Sequence, residues 1–215
     1  MSTPTDKLIA DLAADGKPVR RLSPPMVRAV AWLAVIGAAS LAFVLHGSDL
    51  AKFAVRASDP RMAVELAATL ATGLAGVIAA FHFSVPDRSR AWAWLPVPFI
   101  AIWISLSGLG CYTHWAEQDA RGWALGQSSQ CFVFILTVGV PLAALLTWRL
   151  RRSTPLQPRL TAALAAVGVA GLSAFLLQFF HPFDVTLLDL GAHLAAALVL
   201  IGVMTIAGRT AVGGR

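Results

Sequence analysis

Three observations predict an all-α integral membrane protein: a six-transmembrane-helix bundle, N-in and C-in, preceded by a short amphipathic helix. The chain of 215 residues is 57% hydrophobic and only 13% charged. A soluble domain carries about twice that share of charge, so much of this surface must face lipid. Six segments approach the roughly 20 apolar residues that cross a bilayer as a helix. The Lys and Arg residues crowd onto one side of those segments, and that asymmetry sets orientation.

The spans run from about Pro25 to Leu45, Met62 to Phe83, Trp92 to Gly110, Cys131 to Trp148, Leu160 to Phe180 and Val185 to Ala207. The third carries Pro96 and Pro98, and the fourth carries Pro141. Neighbouring helices can satisfy the carbonyls that proline frees, so these predict kinks rather than breaks. In the second span Ala68, Thr72, Gly76 and Ala80 recur every fourth residue, a small-residue ladder that lets another helix approach closely. Connections are short, and no repeat or separate folded domain shows.

With both termini on one side, that side holds Lys7, Lys17, Arg20, Arg21, Arg28, Arg88, Arg90, Arg149, Arg151, Arg152, Arg159, Arg209 and Arg215. These are 13 of the 17 basic residues; Lys52, Arg56, Arg61 and Arg121 fall opposite. The positive-inside rule places both termini in the cytoplasm. The first two dozen residues are polar and lack an apolar core, so they read as a retained segment rather than a cleaved signal.

Both cysteines bracket one polar insert, GCYTHWAEQDARGWALGQSSQC, from Gly110 to Cys131. In this orientation Cys111 closes the third span and Cys131 opens the fourth, which brings both thiols to the outer face, where disulfides persist in a bacterium. Three readings stand: redox- or metal-responsive thiols, a static disulfide, or incidental cysteines. A bond needs Cα atoms within about 7 Å, which sequence does not give.

Other polar side chains reach the same level. His114 follows Cys111 by three residues, and FFHPFD places His181 and Asp184 between spans five and six. Asp189 and His193 stack at four-residue spacing on span six, and Glu65 sits about one turn into span two. Ionisable groups inside a membrane usually face the bundle interior and are candidate functional groups. Each also has a purely structural reading: a loop cap for His181 and Asp184, an interhelix hydrogen bond for Asp189 and His193, and an i,i+4 pair with Arg61 for Glu65. Cys, His and carboxylate are ligands of soft and borderline metals, but no tight ligand spacing is present. Any cofactor is confined to a transient heavy-metal ion at the cysteines, and the metal stays unknown. Serine elbow, phosphate loop and paired-thiol redox motifs are all missing, so the chain reads as no enzyme.

The N-terminal segment opens with a helix start: Thr3 as N-cap, Pro4 in the first turn and Asp6 reaching back as in a capping box. Leu8, Ile9 and Leu12 form one apolar stripe, with Lys7, Asp11 and Asp15 elsewhere on the wheel, and Gly16 is a natural stop. A helix this short is marginal alone in water, so its stripe needs cover. Anionic headgroups beside Arg20 and Arg21 are one cover. Asp6, Asp11 and Asp15 favour the other, docking into a groove of a cytoplasmic protein.

The tail TDKLIADLAADGKPVRRLSPP, FSVPDRSR after span two, GLGC closing span three and QFFHPFD before a span-six histidine resemble the NrsF-type negative regulators of extracytoplasmic-function sigma factors, over nearly the whole chain. The resemblance implies a six-span anti-sigma factor of the bacterial inner membrane. Its partners are the bilayer and a cytoplasmic sigma factor, with no direct contact to nucleic acid; homo-oligomerisation stays open. It implies that Cys111 and Cys131 sense heavy-metal or oxidative stress, and that Thr5–Leu22, including Leu8, Ile9, Asp11, Leu12, Val19, Arg20, Arg21 and Leu22, holds the sigma factor. The corresponding division is a partner-binding segment over 1–24, a transmembrane sensor domain over 25–207 and a cytoplasmic tail over 208–215. Two other functions compete: a membrane redox or metal-handling protein without a sigma partner, and a small subunit of a larger membrane complex.

Overall fold

The computed structural model describes residues 3–16, 21–117, 125–180 and 187–211, with side chains throughout except at 110–117, 125–128, 187–189 and 209–211. Along the chain run α1 (Pro4–Ala14), α2 (Pro25–Gly47), α3 (Leu50–Ala57), α4 (Pro60–Phe83), a 3-10 turn (Arg90–Trp94), α5 (Val97–Glu117), α6 (Leu125–Leu150), a second 3-10 turn (Arg151–Ser153), α7 (Pro158–Leu177) and α8 (Leu187–Ala211). Six stretches are long and apolar enough to cross a membrane: Pro25–Gly47, Pro60–Phe83, Arg90–Leu109, Ser129–Ser153, Pro158–Leu177 and Leu190–Gly208. These are the six spans expected from sequence, with edges moved by a few residues.

The prolines of span three act differently from expectation. Arg90–Trp94 forms its own 3-10 turn, and α5 starts at Val97 with the Ile100 amide donating to the Pro96 carbonyl at 3.0 Å. Pro98 therefore lies in the first turn of α5, where its missing N–H costs nothing, and the span is broken rather than kinked. Pro141 does lie inside a continuous helix, α6. A second departure is α3, eight residues that sequence reading leaves as loop.

The interior is built on α4 and α7, the two spans with most of their surface buried. They run antiparallel and touch backbone to backbone. A Cβ on Gly76 would lie 2.5 Å from the Gly168 amide nitrogen, and one on Gly171 would lie 2.7 Å from that of Gly73. Ala68, Thr72 and Ala80 are also buried, so the small-residue ladder of span two does admit a neighbour, and that neighbour is α7. The two hydroxyls that enter the α4 seam are satisfied locally: Thr69 donates to the Glu65 carbonyl and Thr72 to that of Ala68. Around this pair, α2 and α5 pack on α4, while α6 and α8 pack on α7 and on each other.

The bundle has two unlike ends. One gathers the start of α2, the end of α4, the ends of α6 and α8 and the start of α7; it carries most of the arginines and is called the basic end below. The other gathers α3, the start of α4 and the thiol-bearing parts of α5 and α6; it is called the thiol end.

Candidate functional sites at the two ends of the bundle

Helix α1 starts as its sequence dictates. The Thr3 hydroxyl accepts from the Asp6 amide at 3.3 Å, and the Thr3 amide donates to the Asp6 carboxylate at 2.8 Å, closing a capping box. The Thr3 hydroxyl also donates to that carboxylate at 2.7 Å. These bonds, led by the side-chain one, hold the Asp6 carboxyl below the usual Asp range. No residue of α1 is buried. Leu8, Ile9 and Leu12 are 58%, 60% and 65% exposed, so the stripe is presented outward rather than packed on the bundle. Asp11, Arg21 and Leu22 are exposed too, while Val19 and Arg20 lie outside the described residues.

At the thiol end, α5 continues to Glu117 and α6 begins at Leu125. Cys111 and Cys131 thus lie more than a turn inside their helices rather than at helix edges. Cys131 is 2% exposed and belongs to the core with Ile135, so its thiol is packed inside rather than displayed. Nearby, Phe180, the residue before His181, packs against Phe43 of α2 and Phe134 of α6 at ring-centroid distances of 4.8 and 5.5 Å. Among the described residues, α5 packs chiefly on α4 and α8 rather than on α6. α5 and α6, though consecutive in the chain, are therefore not each other's main contact among the described residues.

Glu65 is buried on α4, and its Oε1 accepts a short hydrogen bond from the Ser107 hydroxyl of α5. One turn earlier, Arg61 Nη2 donates to the Leu106 carbonyl at 3.0 Å. The sequence reading offered Glu65 a partner on its own helix; its acceptor role is instead interhelical, and Ser107 was missed. The signal was present, because Ser107 is a polar residue inside an apolar span one turn before Cys111.

Helix α3 ties this end together. Asp49 caps it by accepting from the Lys52 amide at 3.1 Å, the leading reason its carboxyl sits below the usual range. Phe53 stacks on Phe179 at 4.2 Å, and Arg56 Nη1 reaches the Gln178 carbonyl at 3.4 Å, pinning α3 across the end of α7. His193 is buried on α8. The side chains of Cys111, His114 and Asp189, and all of His181 and Asp184, lie outside the described residues. Among the described residues no three His, Cys, Asp or Glu side chains gather as metal ligands.

At the basic end, Arg28 stands in the first turn of α2. Its Nη2 donates to the Arg149 carbonyl at 3.0 Å, its guanidinium lies 5.2 Å from the Phe81 ring centre, and its Nη1 is buried without a hydrogen-bond partner among the described residues. It thus joins the end of α6 to the helix that follows the tail. Arg149 and Arg152 both stand over the Trp148 ring, at 5.1 and 5.2 Å. His82, at the end of α4, is buried and stacks on Trp92 of the 3-10 turn at 3.8 Å; neither ring nitrogen has a hydrogen-bond partner among the described residues. Sequence reading used Arg28 only as a topological charge.

α6 carries Cys131 near one end and, at the other, the carbonyl that anchors Arg28. Nothing described forms a nucleophile–base pair or a substrate cleft lined by convergent polar groups. A protein-family model described as "Negative regulator of sigma F" matches residues 12–212. No curated protein and no solved structure matches the chain.

Proposed function

The chain belongs to the family of negative regulators of sigma F, and from that membership we propose an anti-sigma factor with a specific division of labour. Its sigma factor is of the extracytoplasmic-function type and is held at the bacterial inner membrane. The basic end and both termini face the cytoplasm, as the distribution of Lys and Arg supports. Helix α1 and the segment through Leu22 bind the sigma factor, and Cys111 and Cys131 at the periplasmic end register heavy-metal or oxidative stress.

The observation that carries this reading is α1 itself. It is capped at its start, yet it leaves Leu8, Ile9 and Leu12 exposed on one stripe. An isolated helix of this length gains little from propensity alone, so a stripe with nothing on it suits a groove on a partner. The family match begins at Leu12, so Leu8 and Ile9 lie outside the matched region.

The route from signal to partner runs through α6. Oxidation or metal capture at Cys131 changes a thiol packed in the core, which displaces the thiol end of α6. That motion acts on the Arg149 carbonyl and hence on Arg28, six residues after Leu22. Moving a regulator from 1:99 to 99:1 takes a bias of about 5.5 kcal/mol, and a disulfide or a metal site supplies energy of that order. Membership of a regulator family weighs against a redox or metal-handling protein that works without a sigma partner.

The test has two arms. Deleting residues 2–22 releases the sigma factor from the purified membrane complex and raises target-gene expression constitutively; continued repression would refute the docking role of the tail. Replacing both cysteines with serine abolishes the response to metal and oxidant while leaving repression intact. An unchanged response removes the thiols from the mechanism.

A further inference from the structure

At the basic end a groove of about 340 Å³ runs between α6 and α8. Apart from Thr147 near the mouth its walls are apolar, with Val140 and Ala144 from α6 and Val203 and Ala207 from α8, and its mouth is formed by Trp148 and Arg151. From Val140 to Arg151 the helix rises about 16 Å at 1.5 Å per residue, close to half of a ~30 Å hydrocarbon core. The groove is therefore one leaflet deep, apolar below and cationic at the top.

The charge at the mouth is concentrated. Arg149 and Arg152 both stand over the Trp148 ring, and neither is in an ion pair among the described residues; Arg151 lines the groove beside them. Arg28, joined to the Arg149 carbonyl, adds its charge to theirs. A half-exposed Trp and several guanidiniums sit where headgroups lie in a membrane. A second large groove, lined by Leu33, Gly37, Leu74, Leu172 and Phe175, offers a contrast: no charged residue lines it.

From this pairing we infer that the α6–α8 groove is a binding site for one anionic phospholipid, with an acyl chain between the two helices and the phosphate on the Arg149–Arg152 run. Water cannot fill an apolar slot at this depth without losing hydrogen bonds, and a zwitterionic headgroup, whose own cation opposes its phosphate, gains less from a cationic mouth than an anionic one does. The site requires only that the bundle span a membrane, so it stands whether or not the sigma-factor reading holds.

The test is native mass spectrometry of the full-length protein in neutral detergent, titrated with phosphatidylglycerol or with phosphatidylethanolamine of the same chains. The expected result is one retained phosphatidylglycerol per chain, preferred over phosphatidylethanolamine. Excess inorganic phosphate should not displace it, because phosphate lacks the chain that fills the slot. Arg151→Gln with Arg152→Gln lowers the preference about fivefold for each arginine removed. Ala144 is exposed on the groove wall, so Ala144→Trp fills the slot without entering the core and abolishes the adduct. Gly37→Phe, in the uncharged groove, leaves the preference intact. Equal retention of both lipids, an adduct that survives Ala144→Trp, displacement by phosphate alone, or loss in Gly37→Phe overturns the assignment. So does a dimer that closes over α6 and α8 in place of lipid.

Discussion

Ser107 and Glu65 meet across α4 and α5 in an environment where neither can turn to bulk water. The hydroxyl donates and the carboxyl oxygen accepts, so removing the donor leaves a buried acceptor unsatisfied. Ser107→Ala is expected to cost about 1–3 kcal/mol, seen as earlier thermal unfolding in detergent. Glu65→Gln keeps an acceptor for Ser107 and should cost much less; if the two variants unfold alike, the bond does not join these helices. Asp6 sets a second residue-scale expectation, in the opposite medium. The Thr3 hydrogen bonds hold its carboxyl below the ordinary Asp range in the capped helix. A group lowered by folding stabilises the folded form above its unfolded pKa, and that contribution fades as pH falls below it. The cap of α1 is thus complete at neutral pH and weakens as pH falls below the ordinary Asp range. Helix-sensitive amide shifts of α1 should show that acid step, and Asp6→Asn should remove it. Cys131 marks the limit of reading single residues from sequence. A cysteine beside a polar insert reads as interfacial, whereas membership of the buried core makes it interior, and burial is decided by neighbours remote in the chain.

The α4–α7 pair carries the sharpest expectation at the level of elements. The Cβ of Gly76→Val would meet backbone of α7, which cannot swing aside as a side chain can. Relief needs separation of the helices, and a loss of about 3 kcal/mol or more follows from overpacking of this kind. Gly37→Ala is the control, since nothing lies within 4 Å of a Cβ there; thermal unfolding should be unchanged or slightly raised. Equal behaviour of the two variants would contradict the close approach. How legible each element was follows from its physics. Spans were legible because lipid demands long apolar runs whatever their neighbours. Half of the central seam was legible because small residues at four-residue spacing have few other uses; its mate, Gly168 and Gly171 on α7, was not singled out among the many alanines around it. Helix α3 was invisible because eight residues holding Lys52 and Arg56, preceded by Asp49, read as loop, and its stability comes from Phe53 on Phe179 and the Asp49 cap. The Glu65–Ser107 bond spans 42 positions, a pairing that periodicity cannot reach.

For the whole molecule, the proposed regulation depends on which end faces which compartment, and the proposed orientation rests on two separate arguments, one from charge and one from cysteine chemistry. Holding 13 of 17 basic residues in the cytoplasm satisfies the bias that governs insertion, and it places the cysteine-bearing end where disulfides persist. The opposite orientation would leave α1 and its exposed stripe in the periplasm, away from any sigma factor, and both thiols in a reducing compartment. Two exposed positions separate the alternatives without touching either candidate site. Ser58 follows α3 at the thiol end, and Leu156, 78% exposed, lies between α6 and α7 at the basic end. In a background with both native cysteines replaced by serine, Ser58→Cys should react with a membrane-impermeant maleimide in cells whose outer membrane has been opened. Leu156→Cys should react only after the inner membrane is breached, with at least a tenfold difference in initial labelling rate. The reverse pattern would turn the bundle over and separate the tail from its proposed partner. Equal labelling from both sides would mean mixed insertion, in which no single end could serve as sensor for the other.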